Sequence, residues 1–277
     1  MSSRRPSFRA RRLGGELRTL RIQAGFTQQE AGRKLHYNDQ KISRFECGQV
    51  RGYHSLRAML DLYGLPVNDW EPYLDLWELA TKRGWWLAYG LDNQQFVGME
   101  DEASAVRQFQ ASFVPGLLQT EDYAREAFAQ SKTPHSRKWV DDQIEVRMRR
   151  QQRLVGEEPL DLHAVVHEPV LRPSIPPDIM RPQLFRLLRR SELPNVTVRV
   201  LPGSAGLHDG WLGTFLVLSF PAPGDPEIGY VEHAFGSVHI EGASQVRAAR
   251  LRFDGLAELA LSPEDSRAFI DQAIADL

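Results

Sequence analysis

Residues 27–48, TQQEAGRKLHYNDQKISRFECG, decide the amino-terminal fold. Thr27 is a natural helix cap, and Glu30 three residues later completes a capping box, so a first helix is predicted over 28–35. Gly32 weakens that helix unless something passes close to it, and the expected neighbour is the backbone of a second helix crossing at a wide angle. Asn38 is the next cap. Beyond it Ile42 and Phe45 share one face and point inward, while Asp39, Gln40, Lys41, Ser43 and Arg44 are left around the other side. Gly48 ends the second helix as a left-handed cap.

The outward set has the chemistry for reading duplex DNA. Gln and Asn pair bidentately with adenine, Arg and Lys with guanine, and Asp accepts from cytosine N4 in the major groove. The flanks complete a small domain. Leu13, Leu17, Leu20 and Ala24 form an apolar stripe ended by Gly25, and Leu56, Met59, Leu60 and Tyr63 mark a later helix. Four helices closing one core make a helix-turn-helix arrangement. An all-α interaction domain would show the same polar face, and charge separates the two readings. Residues 1–60 carry 13 Lys and Arg against 4 Asp and Glu, a net of +9, whereas residues 61–277 carry 21 against 32, a net of −11. A cationic face is what phosphate neutralisation requires, and the acidic remainder points to something other than DNA.

The stretch LGGELRTLRIQAGFTQQEAGRKL followed by QKISRFECGQV resembles the Cro/CI-type, or xenobiotic-response-element, helix-turn-helix family over about residues 9–65. The resemblance implies that Asn38, Asp39, Gln40, Lys41, Ser43 and Arg44 meet base edges and that Gln28 takes a backbone phosphate. Two positions depart from the family pattern. His36 stands where the turn usually has Gly, in a left-handed conformation that His tolerates, and Phe45 replaces an aliphatic residue.

A chain of 277 residues with 42% hydrophobic content has enough apolar material for one small and one larger domain. The first dozen residues, with Arg4, Arg5, Arg9, Arg11 and Arg12, read either as a basic arm along phosphates or as a solvated tail. Without a membrane-length apolar run or a signal-peptide core, a cytoplasmic protein is expected. Cys47, the single cysteine, excludes an internal disulfide and a thiolate zinc cluster, and is expected as a small packed residue. Residues 1–66 are assigned to the DNA-binding domain and 67–84 to a helical connector. The connector's Trp70, Tyr73, Leu74, Trp77 and Leu79 suit a clamp onto the rest of the chain or a second subunit, and equally the core of the second domain.

Residues 85–277 form the larger domain. Strands are predicted over 105–113, 160–168, 196–201, 214–220 and 228–232, and helices over 120–129, 140–155, 178–190, 245–260 and 263–275. With no regular βαβ repeat, the class is α+β. The segments FQASFVPGLLQTEDYARE, VRMRRQQRL, PNVTVRVLPGSAGLHDGWLGTFLVLSF and LAELALSPEDSRAFI resemble, in order, the large carboxy-terminal domain of unknown function found in many actinobacterial regulators, including WhiJ-like proteins. That resemblance implies a partner-binding or signal-sensing role, a short companion protein, and in some pairs toxin-antitoxin-like behaviour.

Catalytic patterns are absent. His208-Asp209 with Ser204 suggests a hydrolase, but there is no G-x-S-x-G elbow, and adjacent side chains on an extended segment diverge. His163 and His167 sit in a strand-like context without an HExxH motif, so no metal is expected. The loop GSAGLHDGWLG lacks the residues of a phosphate loop. It is expected instead to line a ligand or partner pocket through His208, Asp209 and Trp211, with Glu168 and Glu232 as acidic neighbours. The apolar residues around PGLLQT and Trp211 are candidates for a buried contact with a partner, and equally for packing in the domain's own core.

These readings converge on a transcriptional regulator without cofactor or enzymatic activity. It binds double-stranded DNA as a homodimer and receives a small companion protein or small-molecule signal. An antitoxin that sequesters its partner and autoregulates is the alternative, ahead of an enzyme carrying a DNA-targeting module. Operator, ligand, and activation or repression are not encoded in any recognisable motif.

Overall fold

The computed structural model describes residues 6–50, 52–90, 94–131, 135–172, 175–221 and 225–277. They divide into two compact units, Met1–Ala88 and Tyr89–Leu277. The first is helical: α1 (Phe8–Gln23), α2 (Gln28–Lys34), α3 (Asp39–Glu46), α4 (Tyr53–Leu62) and α5 (Glu71–Thr81). Thr27 and Glu30 form the expected capping box at α2, and the Asn38 side chain accepts from the Lys41 amide at α3. The turn between them runs through His36 at φ +56°, in the left-handed conformation anticipated for it.

Leu13, Leu17, Phe45, Leu56, Met59, Leu60 and Tyr63 fill one core. Trp70 and Leu76 join it, with Trp77 packed beside them. Trp70 Nε1 donates to the Leu65 carbonyl at 2.8 Å, and Trp77 Nε1 to that of Val50 at 3.2 Å. The stretch read as a connector therefore belongs to the core of the amino-terminal unit.

Two glycines set how closely the helices approach. A Cβ on Gly32 would lie 2.8 Å from the Tyr37 carbonyl oxygen and 3.4 Å from the Asp39 amide nitrogen, so its close neighbours are the turn backbone and the start of the second helix, α3. Gly48, at φ +89°, lets the end of α3 press on α1, where a Cβ would come within 2.7 Å of the Ala10 carbonyl. That contact explains a second difference. Arg9, Arg11 and Arg12, read as part of a loose arm, lie in α1, which Ser7 caps and Phe8 anchors by burial. Arg4 and Arg5 fall outside the described residues.

The second unit comprises α6 (Gln94–Glu102), β1 (Ala105–Gln110), α7 (Glu121–Ala129), α8 (Arg137–Arg150), β2 (Asp161–His167), α9 (Pro177–Arg190), β3 (Val196–Leu201), β4 (Phe215–Ser219), β5 (Ile228–His233), β6 (Gly236–Ile240), α10 (Ala243–Leu259) and α11 (Pro263–Ala275). The strands form one mixed sheet in the order β3-β2-β1-β4-β5-β6, and the class is α+β. β1, β2 and β3 are parallel neighbours, and the remaining pairs are antiparallel. Two crossovers, through α7 and α8 and then through α9, thus do form parallel units, although no regular repeat was apparent. The non-helical insertions before and between these helices broke the period. α6 and β6 had no counterpart in the sequence reading. β6 is mostly exposed, so it lacks the apolar alternation that marks a half-buried strand.

Phe109 and Val165 face α10, where they pack with Leu201, Phe253 and Leu256. On the opposite face Tyr230 stacks on Phe96 of α6, ring centroids 4.4 Å apart. Among the described residues no helix is long and apolar enough to cross a membrane.

Candidate functional site

The exposed face of α3 is built by what holds the other face down. Ile42 and Phe45 are buried. Glu46, on the same side, receives Arg21 Nε at 2.5 Å and Nη2 at 3.1 Å, and Gln28 Nε2 at 2.7 Å. Arg21 also donates to the Phe26 carbonyl at 2.6 Å, so this pair fastens α1, the start of α2 and the end of α3 together. The bond to Glu46 holds the Arg21 guanidinium above its ordinary pKa. The sequence carried a sign of it. Arg21 continues the Leu13, Leu17 stripe at the same four-residue step, and a charged residue on an apolar face needs a buried partner.

With α3 fixed, Asn38, Asp39, Gln40 and Arg44 are exposed, and Lys41 and Ser43 are half-exposed. Their freedom differs. Asn38 Oδ1 accepts from the Lys41 amide at 2.8 Å, and Asp39 Oδ1 from the Gln40 amide at 2.9 Å. Lys41 Nζ sits 3.3 Å from the centroid of the Tyr37 ring. The side-chain ends of Gln40 and Arg44 make no hydrogen bond or ion pair among the described residues. Gln28, assigned to a phosphate, has its amide nitrogen held by Glu46. Cys47 is exposed rather than packed.

In the second unit the loop from β3 to β4 crosses the carboxyl ends of β2 and β1, because β4 lies on the far side of β1. This strap carries His208 and Trp211. Their rings stack 5.7 Å apart, and each lies about as far from His167 at the end of β2, 5.5 Å for His208 and 5.6 Å for Trp211. His167 was not among the expected pocket residues. Burial, and then His208, push its pKa below the ordinary histidine value. Gly210 presses the strap onto the sheet, where a Cβ would come within 2.5 Å of Phe109.

The other expected pocket members scatter. Glu168 Oε2 accepts from the Gly203 amide at 2.8 Å, which anchors the start of the strap. Asp209 faces Arg252 at 3.7 Å instead of its neighbour His208, whose Nδ1 accepts from the Gly210 amide at 3.1 Å. Glu232 lies on β5, three strands from β2, and its charge acts on Arg147 and Arg150. The strap crosses the strand ends with His208 and Trp211 turned to His167. Outward it presents apolar surface: Leu207, Trp211 and Leu212 are 95%, 64% and 75% exposed.

The PGLLQT segment takes a structural place. Leu117 and Leu118 are buried in the unit's own core and are unavailable to a partner. Three buried glutamines, Gln119, Gln151 and Gln183, hold carbonyls of the segment and of Val114 just before it. Gln119 donates to Val114 at 2.7 Å, Gln151 to Gly116 at 3.1 Å, and Gln183 to Leu118 at 2.9 Å. Nearby, Arg150 makes a two-pronged bond to Glu100 at 2.6 and 2.7 Å. The matching segments VRMRRQQRL and PGLLQT thus meet in one polar network.

A family model described as a helix-turn-helix domain matches residues 12–71, and one described as a domain of unknown function, DUF5753, matches residues 93–272. No curated protein and no solved structure matches the chain. The protein belongs to the DUF5753 family and carries a DNA-binding helix-turn-helix domain at its amino-terminal end.

Proposed function

We propose that the protein is a sequence-specific transcriptional regulator of the Cro/CI, xenobiotic-response-element type, related to the WhiJ-like actinobacterial regulators. α3 reads base edges as the recognition helix, and the carboxy-terminal unit receives a signal. One observation carries the reading. The inner face of α3 is locked by Ile42, Phe45 and the Arg21–Glu46 pair, while Gln40 and Arg44 project from the outer face with no side-chain hydrogen bond or ion pair among the described residues. Side chains of those types on a rigid helix suit adenine and guanine edges.

A single such helix makes too few base contacts for an operator, so the protein acts as a homodimer on two half-sites about one helical turn apart. Selection from a random duplex library tests this. A two-fold symmetric site with half-sites about 10 base pairs apart is expected, and a single asymmetric half-site would contradict the dimer.

The exposed Leu207, Trp211 and Leu212 on the strap favour a protein partner for the second unit, which also suits an antitoxin that sequesters a companion. An enzymatic role is less well supported, since Asp209 faces Arg252 and His208 Nδ1 is occupied by the strap's own amide. Capture by the full chain of a companion protein that Trp211→Ala and Leu212→Ser release supports the partner reading. Turnover of ester or phosphate substrates that His208→Ala abolishes would overturn it.

A further inference from the structure

The sequence leaves the second unit with an excess of acid, yet α9 carries a cationic cleft. A cavity of about 760 Å3 is lined by Arg181, Phe185, Arg186, Arg189 and Arg190 of that helix, with Thr120 among the residues facing them. Positions 181, 185 and 189 recur every four residues, as do 182, 186 and 190, so the side chains form two adjacent rows along one flank.

The surrounding ion pairs set these arginines apart. Arg125 meets Glu121 and Asp141, Arg150 meets Glu100, Arg172 meets Asp276, and Arg250 meets Glu227. Among the described residues none of the four cleft arginines pairs with a carboxylate, although Glu192 is also on the lining. Counting that acid, the lining keeps an excess of three positive charges. The helix dipole accounts for Arg189 and Arg190 in the last turn. It does not account for Arg181 and Arg186, which lie earlier in the helix.

Two of the arginines are already held in position. Arg181 Nη1 donates to the Ile274 carbonyl at 3.1 Å. Arg186 Nη2 donates to Gln151 Oε1, and Gln151 is itself tied to the carbonyls of Gly116 and Gln119. Arg186 Nε is shielded from solvent and has no hydrogen-bond partner. Burial, and then the like charge of Arg190, lower the Arg186 pKa. A guanidinium fixed beside a like charge favours an incoming phosphate, and the exposed Arg181 and Arg189 present forks whose geometry matches phosphate oxygens. Phe185, 48% exposed between the arginines, offers a flat apolar ring of the kind on which bases stack.

We propose that this cleft binds a nucleoside polyphosphate, with the phosphates on the four arginines and the base against Phe185. This gives a ligand class to the signal-receiving unit and rests on the regulatory reading only for its consequence at DNA.

The test uses the full chain and fluorescent N-methylanthraniloyl derivatives of ATP and GTP, with ATP, inorganic triphosphate and adenosine as competitors. Because the basic amino-terminal unit also attracts polyanions, Arg189→Ala, Arg190→Ala and Phe185→Ser are compared with Arg44→Ala. Saturable one-to-one binding is expected, displaced by ATP and by triphosphate but not by adenosine. Each cleft arginine variant should weaken it about tenfold or more, while Arg44→Ala leaves it unchanged. Circular dichroism establishes that each variant is folded, and Arg186→Lys should bind better than Arg186→Gln. Three results would overturn the proposal: no saturable binding at millimolar nucleotide, equal binding by the cleft variants, or displacement by single-stranded oligonucleotides alone. Operator binding by the unliganded chain is measured in parallel. Its absence, with nucleotide binding intact, overturns the regulatory reading and supports the site.

Discussion

In the amino-terminal unit Arg21 is buried against Glu46 and Arg44 stands free on α3. In the carboxy-terminal unit Arg150 is buried against Glu100, and the arginines of α9 line a cleft in which, among the described residues, none of them pairs with a carboxylate. The same side chain serves two purposes, and its partner decides which. A buried arginine with a bidentate carboxylate fixes the geometry of its unit, and leaves no charge for a ligand. An arginine without a carboxylate keeps its charge for a phosphate or a guanine edge.

The two buried pairs hold their units together. Glu46→Ala and Glu100→Ala each leave a buried guanidinium uncompensated, and each should cost about 3–5 kcal/mol in denaturant unfolding. A loss below about 1 kcal/mol for either variant would remove that arginine from the structural class. Replacing both partners of a pair by apolar residues of similar volume should cost much less than removing one.

Gly14→Ala is the next largest effect. A Cβ there meets the backbone of Glu46 and Gly48, which cannot rotate away. A loss of about 1–3 kcal/mol is expected from overpacking, with weaker DNA binding as α3 shifts against α1. Unchanged stability would mean that the α1–α3 contact is looser than described.

Acid sharpens the contrast between the units, because both histidines in question lie in the second. Burial is the leading cause that lowers the pKa of His163 and of His167, followed by Arg199 for the former and His208 for the latter. Their folded pKa values lie below the ordinary 6.5, so below that pH the unfolded chain binds more protons. The stability they contribute is fully present above pH 6.5 and is lost as the pH falls through their folded values. Thermal unfolding between pH 8 and 5 should show a decline that His167→Asn reduces, and a flat profile would contradict it.

Salt gives the smallest structural and the broadest binding effect. With a net +9 in residues 1–60, DNA affinity should fall steeply with ionic strength while the ranking of sites is kept. A flat response across a salt series would count against phosphate-dominated binding.

Much of the amino-terminal unit was legible because its signals are local. The Thr27–Glu30 box, the Asn38 cap, the left-handed His36 and the Ile42–Phe45 face each follow from neighbours within four residues. The Arg21–Glu46 pair spans 25 positions and was readable only as an anomaly on an apolar stripe. In the second unit five strands and five helices were legible from periodicity, whereas exposed β6 lacked an apolar rhythm. The site was harder to read. His208 and Trp211 meet His167 only because β4 is placed beyond β1, and the same strand order separates Glu232 from Glu168. The four-residue rows of α9 were present in RPQLFRLLRR, but whether a carboxylate met their arginines depended on the fold.

Affinity of the full chain, Gln40→Ala and Arg44→Ala for the selected operator and for a scrambled duplex tests the central claim most directly. Both variants should keep wild-type stability to within about 0.5 kcal/mol. At the operator each should lose roughly 1–3 kcal/mol of binding, with relaxed preference at one base position. At the scrambled duplex, Gln40→Ala should bind as the wild type does. Full operator preference in both variants would contradict the assignment of α3 to base recognition.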